Sequence, residues 1–427
     1  MKRIFQHLSP GLVRVMGTFL SKGAAAGVQF IQSIILSRSL GAEALGLYYF
    51  ALSIYRVAEC GAPLGLQTST VREVAAARAQ GAWGSIRQLA WRSALLCGAL
   101  GLAASVTAFA FAGQIAQALE GHEGAETALH WMASAMIPGC IVLSLTSSLR
   151  GLGLQTLANI FGSLILPLVA TLLFLLVFQS QGYLGAVQAF ILGQMAALAL
   201  LAIALIKLLR HRPHKTVPSH SLFHSAFPFW VVSVASLAND SLGILLLGFL
   251  GASADVGIFG VAVRLAMPLS FLGASVQAVC DSRFAGLHRL GNTQGLRQEY
   301  WASLRTSALL AVSMGLGLGL LAHPLLSLFG PEFARAETAF RIILIGICLV
   351  AALGPAGSFL SMTGRADITA WTAVLAFPLA AGLMLHLIPQ FGATGAAMAT
   401  SLTLSLRVLV QFLAAQRVFN AMTVPAH

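Results

Sequence analysis

Long apolar runs alternate with short polar ones from one end of the chain to the other. Each run covers roughly 18–25 residues, enough to cross a hydrocarbon core of about 30 Å as a helix rising about 1.5 Å per residue. About twelve are centred near Ala25, Ile54, Gly101, Ile141, Pro167, Ala196, Ala238, Phe271, Gly315, Val350, Ala380 and Leu404. No stretch between them is long enough for a soluble domain. The pattern predicts an all-α polytopic membrane protein.

The pattern also repeats. The turn "LGAEALGLYYFALSIYR" parallels "LGASADVGIFGVAVR", and "SIRQLAWRSALL" parallels "GLRQEYWASLRTSALL". Pro167 and Pro378 lie 211 residues apart, and the turns "GYLGA" at 182–186 and "GATGA" at 392–396 lie 210 apart. Six helices per repeat is an even number, so both halves enter the membrane in the same direction. This predicts two six-helix bundles related by a pseudo-two-fold along the membrane normal, a plan used by secondary transporters. The expected boundaries are an N-terminal bundle at 1–206, a basic linker at 207–222 ("KLLRHRPHKTVPSHSL") and a C-terminal bundle at 223–427.

Composition strengthens the membrane reading. Of 427 residues 58% are hydrophobic and 9% charged, against about 25% charged in soluble domains. The net charge of +12 does not point to nucleic acid, because the basic residues fall in alternate loops. Arg72, Arg78, Arg87 and Arg92, then Lys207, Arg210, Arg212 and Lys215, then Arg283, Arg289, Arg297 and Arg305 mark one side. The other side carries Glu120, Glu123 and Glu126, then Asp255, then a balanced 323–341 loop. By the positive-inside rule the first set is cytoplasmic, and both termini lie there. The basic start and the apolar run behind it are read as a first helix rather than a signal peptide, since Arg14 and Lys22 interrupt the run. Cys60, Cys97, Cys140, Cys280 and Cys348 show no C-x-x-C pairing and are expected in the helical core.

Polar side chains inside the helices are the candidate chemistry. At about 100° per residue, Arg14, Thr18, Ser21, Lys22, Gln29, Gln32 and Ser33 share about one third of the first helix. Gly23 and Gly27 point the other way and are expected to pack against a neighbour. Tyr49, Ser53, Arg56, Pro63 and Gln67 share a face of the second helix. Ser233, Ser236 and Asp240 align in the seventh, flanked by Asn239, and Arg264 aligns with Pro268 and Ser275 in the eighth. An arginine in the bilayer centre costs about 2.5–3.5 kcal/mol on insertion scales and must face protein or water. Lys22, Arg56 and Arg264, with Arg14 and Arg407, therefore suggest a central cationic cavity, with Gln29, Gln32, Gln67 and Asn239 as its polar lining.

Blander readings stand beside these. Arg14 and Arg407 are near enough to cytoplasmic ends to snorkel. Arg56 and Glu59, at i and i+3, could form a structural ion pair. Asp240 is either a partner for Lys22 or Arg264 or, with Glu59, a candidate for proton or sodium coupling. The linker histidines His211, His214, His220 and His224 read as a solvated loop and not a metal site. No phosphate loop, H-E-x-x-H or G-x-S-x-G motif is present, so neither catalytic residues nor a cofactor are expected.

The turns "RSLGAEALGLY", "GLQTSTVREVA", "LGASADVGIF", "GYLGA" and "GATGA" resemble those of the polysaccharide repeat-unit flippases, the Wzx-type branch of the multidrug/oligosaccharidyl-lipid/polysaccharide exporter superfamily. The resemblance spans essentially the whole chain. It implies a non-enzymatic flippase of the bacterial inner membrane that moves undecaprenyl-pyrophosphate-linked oligosaccharides for O-antigen, capsule or exopolysaccharide synthesis by alternating access. Lys22, Arg56 and Arg264 would then correspond to the cationic lining. It further implies a lipid-linked oligosaccharide substrate, membrane lipids and the polysaccharide polymerase and chain-length machinery as partners, and no nucleic acid. The chain departs from the family in "AECGAPLGL", where Glu59 is displaced from the position before the glycine-leucine pair. Competing readings are an ion-coupled drug or metabolite exporter of the same superfamily and a membrane-embedded polysaccharide polymerase or ligase. An exporter of cationic drugs would favour an anionic cavity, and a polymerase or ligase a large outer loop.

Overall fold

A computed structural model describes residues 10–118, 124–210, 230 and 241–423. Among them there is helix and no strand, as expected where backbone groups must be satisfied within one segment. The helices are α1 (Pro10–Gly61), α2 (Leu66–Ala79), α3 (Trp83–Ala118), α4 (Ala125–Ser134), α5 (Met136–Gly151), α6 (Gln155–Asn159), α7 (Ile165–Leu173) and α8 (Gly182–Arg210). They continue with α9 (Ser241–Leu250), α10 (Ser253–Arg289), α11 (Thr293–Leu320), α12 (Ala322–Ser327), α13 (Glu337–Met362) and α14 (Ala366–Thr423). Eleven of the twelve expected centres fall in helices; Ala238 lies outside the described residues, as do 211–222 of the expected linker with its histidines.

Seven helical stretches among the described residues are long and apolar enough to span a bilayer. Two of them, Gln155–Arg210 and Ala366–Phe419, cover 56 and 54 residues, about twice what one crossing needs. The 52-residue α1 is not among the seven, because Lys22, Gln29, Gln32, Arg56 and Glu59 interrupt its apolar sequence. α1 and α14 are each kinked at a glycine: Gly41 (φ 75°, ψ 174°) splits α1 and Gly392 (φ 53°, ψ −129°) splits α14. A side chain at such positive φ is strained, so glycine lets the chain turn without leaving helix for more than one residue.

The chain divides into two compact units, Met1–Leu40 with Leu47–Ala238 and Gly41–Gly46 with Asn239–His427. In unit 1, α5 packs against α2, α3 and α8. Its core joins Leu66, Ile86, Cys97, Cys140, Leu145 and Leu201, and Ser144 is held to Ser93 of α3 at 2.9 Å. In unit 2, α13 packs against α10, α11 and α14, and Ser307 of α11 donates to the Ala351 carbonyl at 2.6 Å. Phe284, Tyr300, Phe359 and Phe419 form an aromatic core there, with Tyr300 and Phe359 5.1 Å apart. Three of the five free cysteines are buried and Cys60 and Cys348 are partly buried.

The packing faces of α1 differ from the expected ones. Gly23 and Gly27 are exposed, with no atom within 4 Å of where a Cβ would stand. Ser21, Ala25, Ser33 and Leu36 are buried instead. The small serines satisfy their own hydroxyls, Ser21 on the Thr18 carbonyl and Ser33 on that of Phe30. A serine bonded to its own helix can pack as a small residue, so part of the face expected to be wet is packed.

Candidate functional site

In unit 1 the first limb of α1 carries Lys22, which is exposed, Gln32, which is partly buried, and Gln29, whose Nε2 reaches the Ser163 carbonyl at 3.5 Å. That carbonyl is available for a physical reason. Ser163 stands four residues before Pro167, which has no N–H to offer it, and residues Ile160–Leu164 form a π-helical turn of the kind such interruptions produce. Asn159, which the sequence reading did not single out, is 3% exposed and donates from Nδ2 to Ser21 Oγ at 3.2 Å. Its signal was available, since it is an amide inside an apolar run ahead of a proline. Arg14 lies in α1, with its side chain outside what is described.

The second limb carries Arg56 and Glu59. The i, i+3 ion pair between them is not formed: among the described residues the ion pairs are Arg72–Glu73, Arg283–Glu299, His323–Glu337 and Arg341–Glu337. Glu59 Oε1 instead accepts a hydrogen bond from Tyr55 Oη at 2.7 Å, and Arg56 is exposed. Tyr55 is 2% exposed and meets the Phe190 ring edge-on at 5.1 Å. Tyr49 and Ser53, expected on the face of Arg56, are buried.

α1 ends at Gly61, and after a turn containing Pro63, Leu64 (φ 50°) and Gly65 (φ 79°) the chain restarts as α2. The break frees carbonyls at the end of α1, and Trp230 Nε1 donates to that of Gly61 at 2.6 Å. Gln67, in the first turn of α2, keeps its Oε1 buried with no hydrogen-bond partner among the described residues.

In unit 2, Arg264 is partly buried in α10 and donates from Nη1 to the Gly260 carbonyl at 3.1 Å. Arg407 is partly buried in the last limb of α14. Gln411, also missed from sequence, donates from Nε2 to Thr372 Oγ1 at 2.8 Å. Asn239 and Asp240 lie outside the described residues.

Helix rise gives the distance of each cation from the start of its helical limb. Arg56 and Arg407 each stand fifteen residues beyond an elbow glycine, Gly41 and Gly392, or about 22 Å. Arg264 is eleven residues beyond Ser253, about 16 Å. Lys22 is nineteen before Gly41, about 28 Å. No group of three or more metal-ligating side chains occurs among the described residues.

Residues 14–280, more than half of the chain, match the family described as polysaccharide biosynthesis protein. No curated protein matches the sequence. Solved structures of similar fold include an inward-facing multidrug resistance MATE family transporter of the MOP superfamily (TM-score 0.79, 14% identity, 98% of this chain and 100% of that one). An outward-facing structure of such a transporter is also similar (TM-score 0.68, 16% identity, 96% of each chain). So is the lipid II flippase MurJ in an inward closed conformation (TM-score 0.72, 14% identity, 96% of this chain and 90% of that one). At these identities the likeness is one of fold.

Proposed function

Because the chain belongs to the polysaccharide biosynthesis protein family, we propose that it is a flippase for undecaprenyl-pyrophosphate-linked oligosaccharide repeat units in the bacterial inner membrane. In this reading the helices make twelve crossings with both termini cytoplasmic, and the protein works by alternating access in O-antigen, capsule or exopolysaccharide synthesis. The solved structures of similar fold are membrane transporters and a lipid flippase.

The observation that carries the reading is the state of Lys22 and Arg56. Both are exposed on a helix with long apolar stretches, and neither makes an ion pair among the described residues. A cation left so in hydrocarbon costs about 2.5–3.5 kcal/mol, which favours an aqueous path and an anionic ligand. A lipid-linked pyrophosphate fits: its head carries the charge that lipid rejects, and its polyprenyl tail can stay in the bilayer. Guanidinium groups bind pyrophosphate by paired, charge-assisted hydrogen bonds. The break at 62–65 interrupts the helix within ten residues of Arg56, and broken helices are an arrangement that transporters use beside substrates. Gln29, Gln32 and Gln67 supply amides suited to sugar hydroxyls. Arg264 and Arg407 are the corresponding cations of unit 2, and Glu59 and Asp240 are the candidates for proton or sodium coupling.

The test is transbilayer movement of a fluorescent undecaprenyl-pyrophosphate oligosaccharide in proteoliposomes, read as the fraction reaching the opposite leaflet. Arg56→Ala is expected to slow it at least about tenfold, since charge-assisted bonds contribute about 1.5–3 kcal/mol, and Lys22→Ala to slow it less. Undiminished movement in both variants would overturn the reading. Efflux of a cationic dye without movement of the lipid would favour the exporter.

A further inference from the structure

α3 and α11 open with the same outward surface. Arg87, Gln88 and Trp91 recur 210 residues later as Arg297, Gln298 and Trp301. The structure adds the facing: positions 91–99 and 301–309 show the same succession of exposed and buried residues at every step. Ile86 and Leu296, at 0% and 2% exposure, anchor the inner faces, and Ser93 and Ser303 are buried beside them.

The outer stripe of α3 runs Arg87, Gln88, Trp91, Arg92 and Leu95, with Trp91 42% and Leu95 71% exposed. That of α11 runs Arg297, Gln298, Trp301, Arg305 and Leu309, with Trp301 38% and Leu309 71% exposed. Each stripe opens on a guanidinium, reaches an indole one turn later and ends on an aliphatic side chain over about 12–18 Å of helix, with a second arginine beyond the indole, Arg92 or Arg305, long enough to snorkel back toward the phosphate. That succession matches the passage from headgroup phosphate through the interface to acyl chain.

The charges are available. Arg87, Arg92, Arg297 and Arg305 form no ion pair among the described residues. The one acid on this part of α11, Glu299, is taken by Arg283 at 2.7 Å, and its counterpart in α3 is Leu89. Arg297 is steadied over the Phe419 ring at 5.5 Å, which leaves its charge intact. The second arginine sits about one turn further along in α11 than in α3.

We propose that these two surfaces are duplicated binding sites for an anionic phospholipid headgroup. Arg87 and Arg92 take the phosphate at one, Arg297 and Arg305 at the other, and the indoles of Trp91 and Trp301 lie at the level of the glycerol. The sites face lipid and are separate from the cations assigned to the transported head.

The full chain is reconstituted in phosphatidylethanolamine bilayers containing a minor fraction of chain-brominated phosphatidylglycerol or chain-brominated phosphatidylcholine, and indole quenching is measured. Subtracting Trp91→Phe or Trp301→Phe isolates each reporter. Brominated phosphatidylglycerol is expected to quench each at least about fivefold more effectively, the enrichment that one well-placed basic residue supports. Arg87→Gln with Arg92→Gln removes the preference at Trp91 alone, and Arg297→Gln with Arg305→Gln removes it at Trp301 alone. The paired Arg→Lys variants retain a preference and serve as the folded controls. Equal quenching by the two lipids, or a preference that survives the glutamines, overturns the proposal. The assay contains no oligosaccharide, so its outcome is independent of what the protein transports.

Discussion

Tyr55 and Arg56 are neighbours in sequence and opposites in surroundings. Tyr55 is sealed against Phe190 and α5, where Gly139 leaves it no spare volume: a Cβ there would fall on the Tyr55 hydroxyl and within 2.8 Å of Glu59 Oε1. Arg56 points away from this packing. Sequence spacing showed that Arg56 and Glu59 are within reach of each other, and i, i+3 geometry permits the pair. It could not show that Tyr55, one turn earlier, would take the carboxylate, because that depends on α5 pressing the phenol into place. Two variants test this. Gly139→Ala should lower the stability of the purified protein by about 1–3 kcal/mol, the usual cost of overpacking. Tyr55→Phe should cost about 1–3 kcal/mol by leaving a polar group of Glu59 without its donor. Thermal unfolding in detergent reads both, and an unchanged midpoint for Gly139→Ala would show that the site can yield.

At the scale of elements, the chain meets its reversals with remote acids and small residues. Glu332 Oε1 accepts the Ala42 N–H at 3.1 Å just beyond Gly41, and the Asp255 carboxylate accepts the Ala393 N–H just beyond Gly392. Each carboxylate thus caps the first turn of a helix that begins at an elbow and cannot cap itself, since glycine has no side chain. Within unit 2 the segment Ala42-x-x-x-Gly46 crosses Ser253-x-x-x-Gly257 so closely that a Cβ on Gly46 would strike the Ser253 carbonyl and one on Gly257 that of Ala42. The spacing of small residues that marks close helix packing was legible at Gly23 and Gly27, where it is unused. It operates at 42, 46, 253 and 257, where one position of each pair is alanine or serine. Gly46→Leu and Gly257→Leu should each cost on the order of 2 kcal/mol or more, seen as a lower thermal midpoint. Gly23→Leu, facing open space, should leave the midpoint nearly unchanged, and a large loss there would mean that this face is covered.

For the whole molecule, the clearest expectation concerns sidedness. The elbows near Gln181 and Gln390 and the basic turns near Gln80 and Asn292 are all exposed, and the positive-inside rule puts them on opposite faces. With the five native cysteines replaced, single cysteines at Gln181 and Gln390 should react with an impermeant maleimide on spheroplasts. Those at Gln80 and Asn292 should react only after permeabilisation, and the reverse pattern would invert the topology. Sequence by itself determined the helical class, the repeated motifs about 210 residues apart, the glycine elbows and which charged residues interrupt apolar runs. These follow from local rules: hydrocarbon demands long apolar helices, glycine marks reversals, and charge is rare enough in such runs to stand out. Only the tertiary structure decided which polar groups are consumed. It placed Asn159 on Ser21, gave Glu59 to Tyr55, turned Gly23 and Gly27 outward and left Trp91 and Trp301 each exposed on its own unit. Those outcomes depend on which helix lies beside which, and a hydrogen bond or a close contact exists only when the second partner arrives.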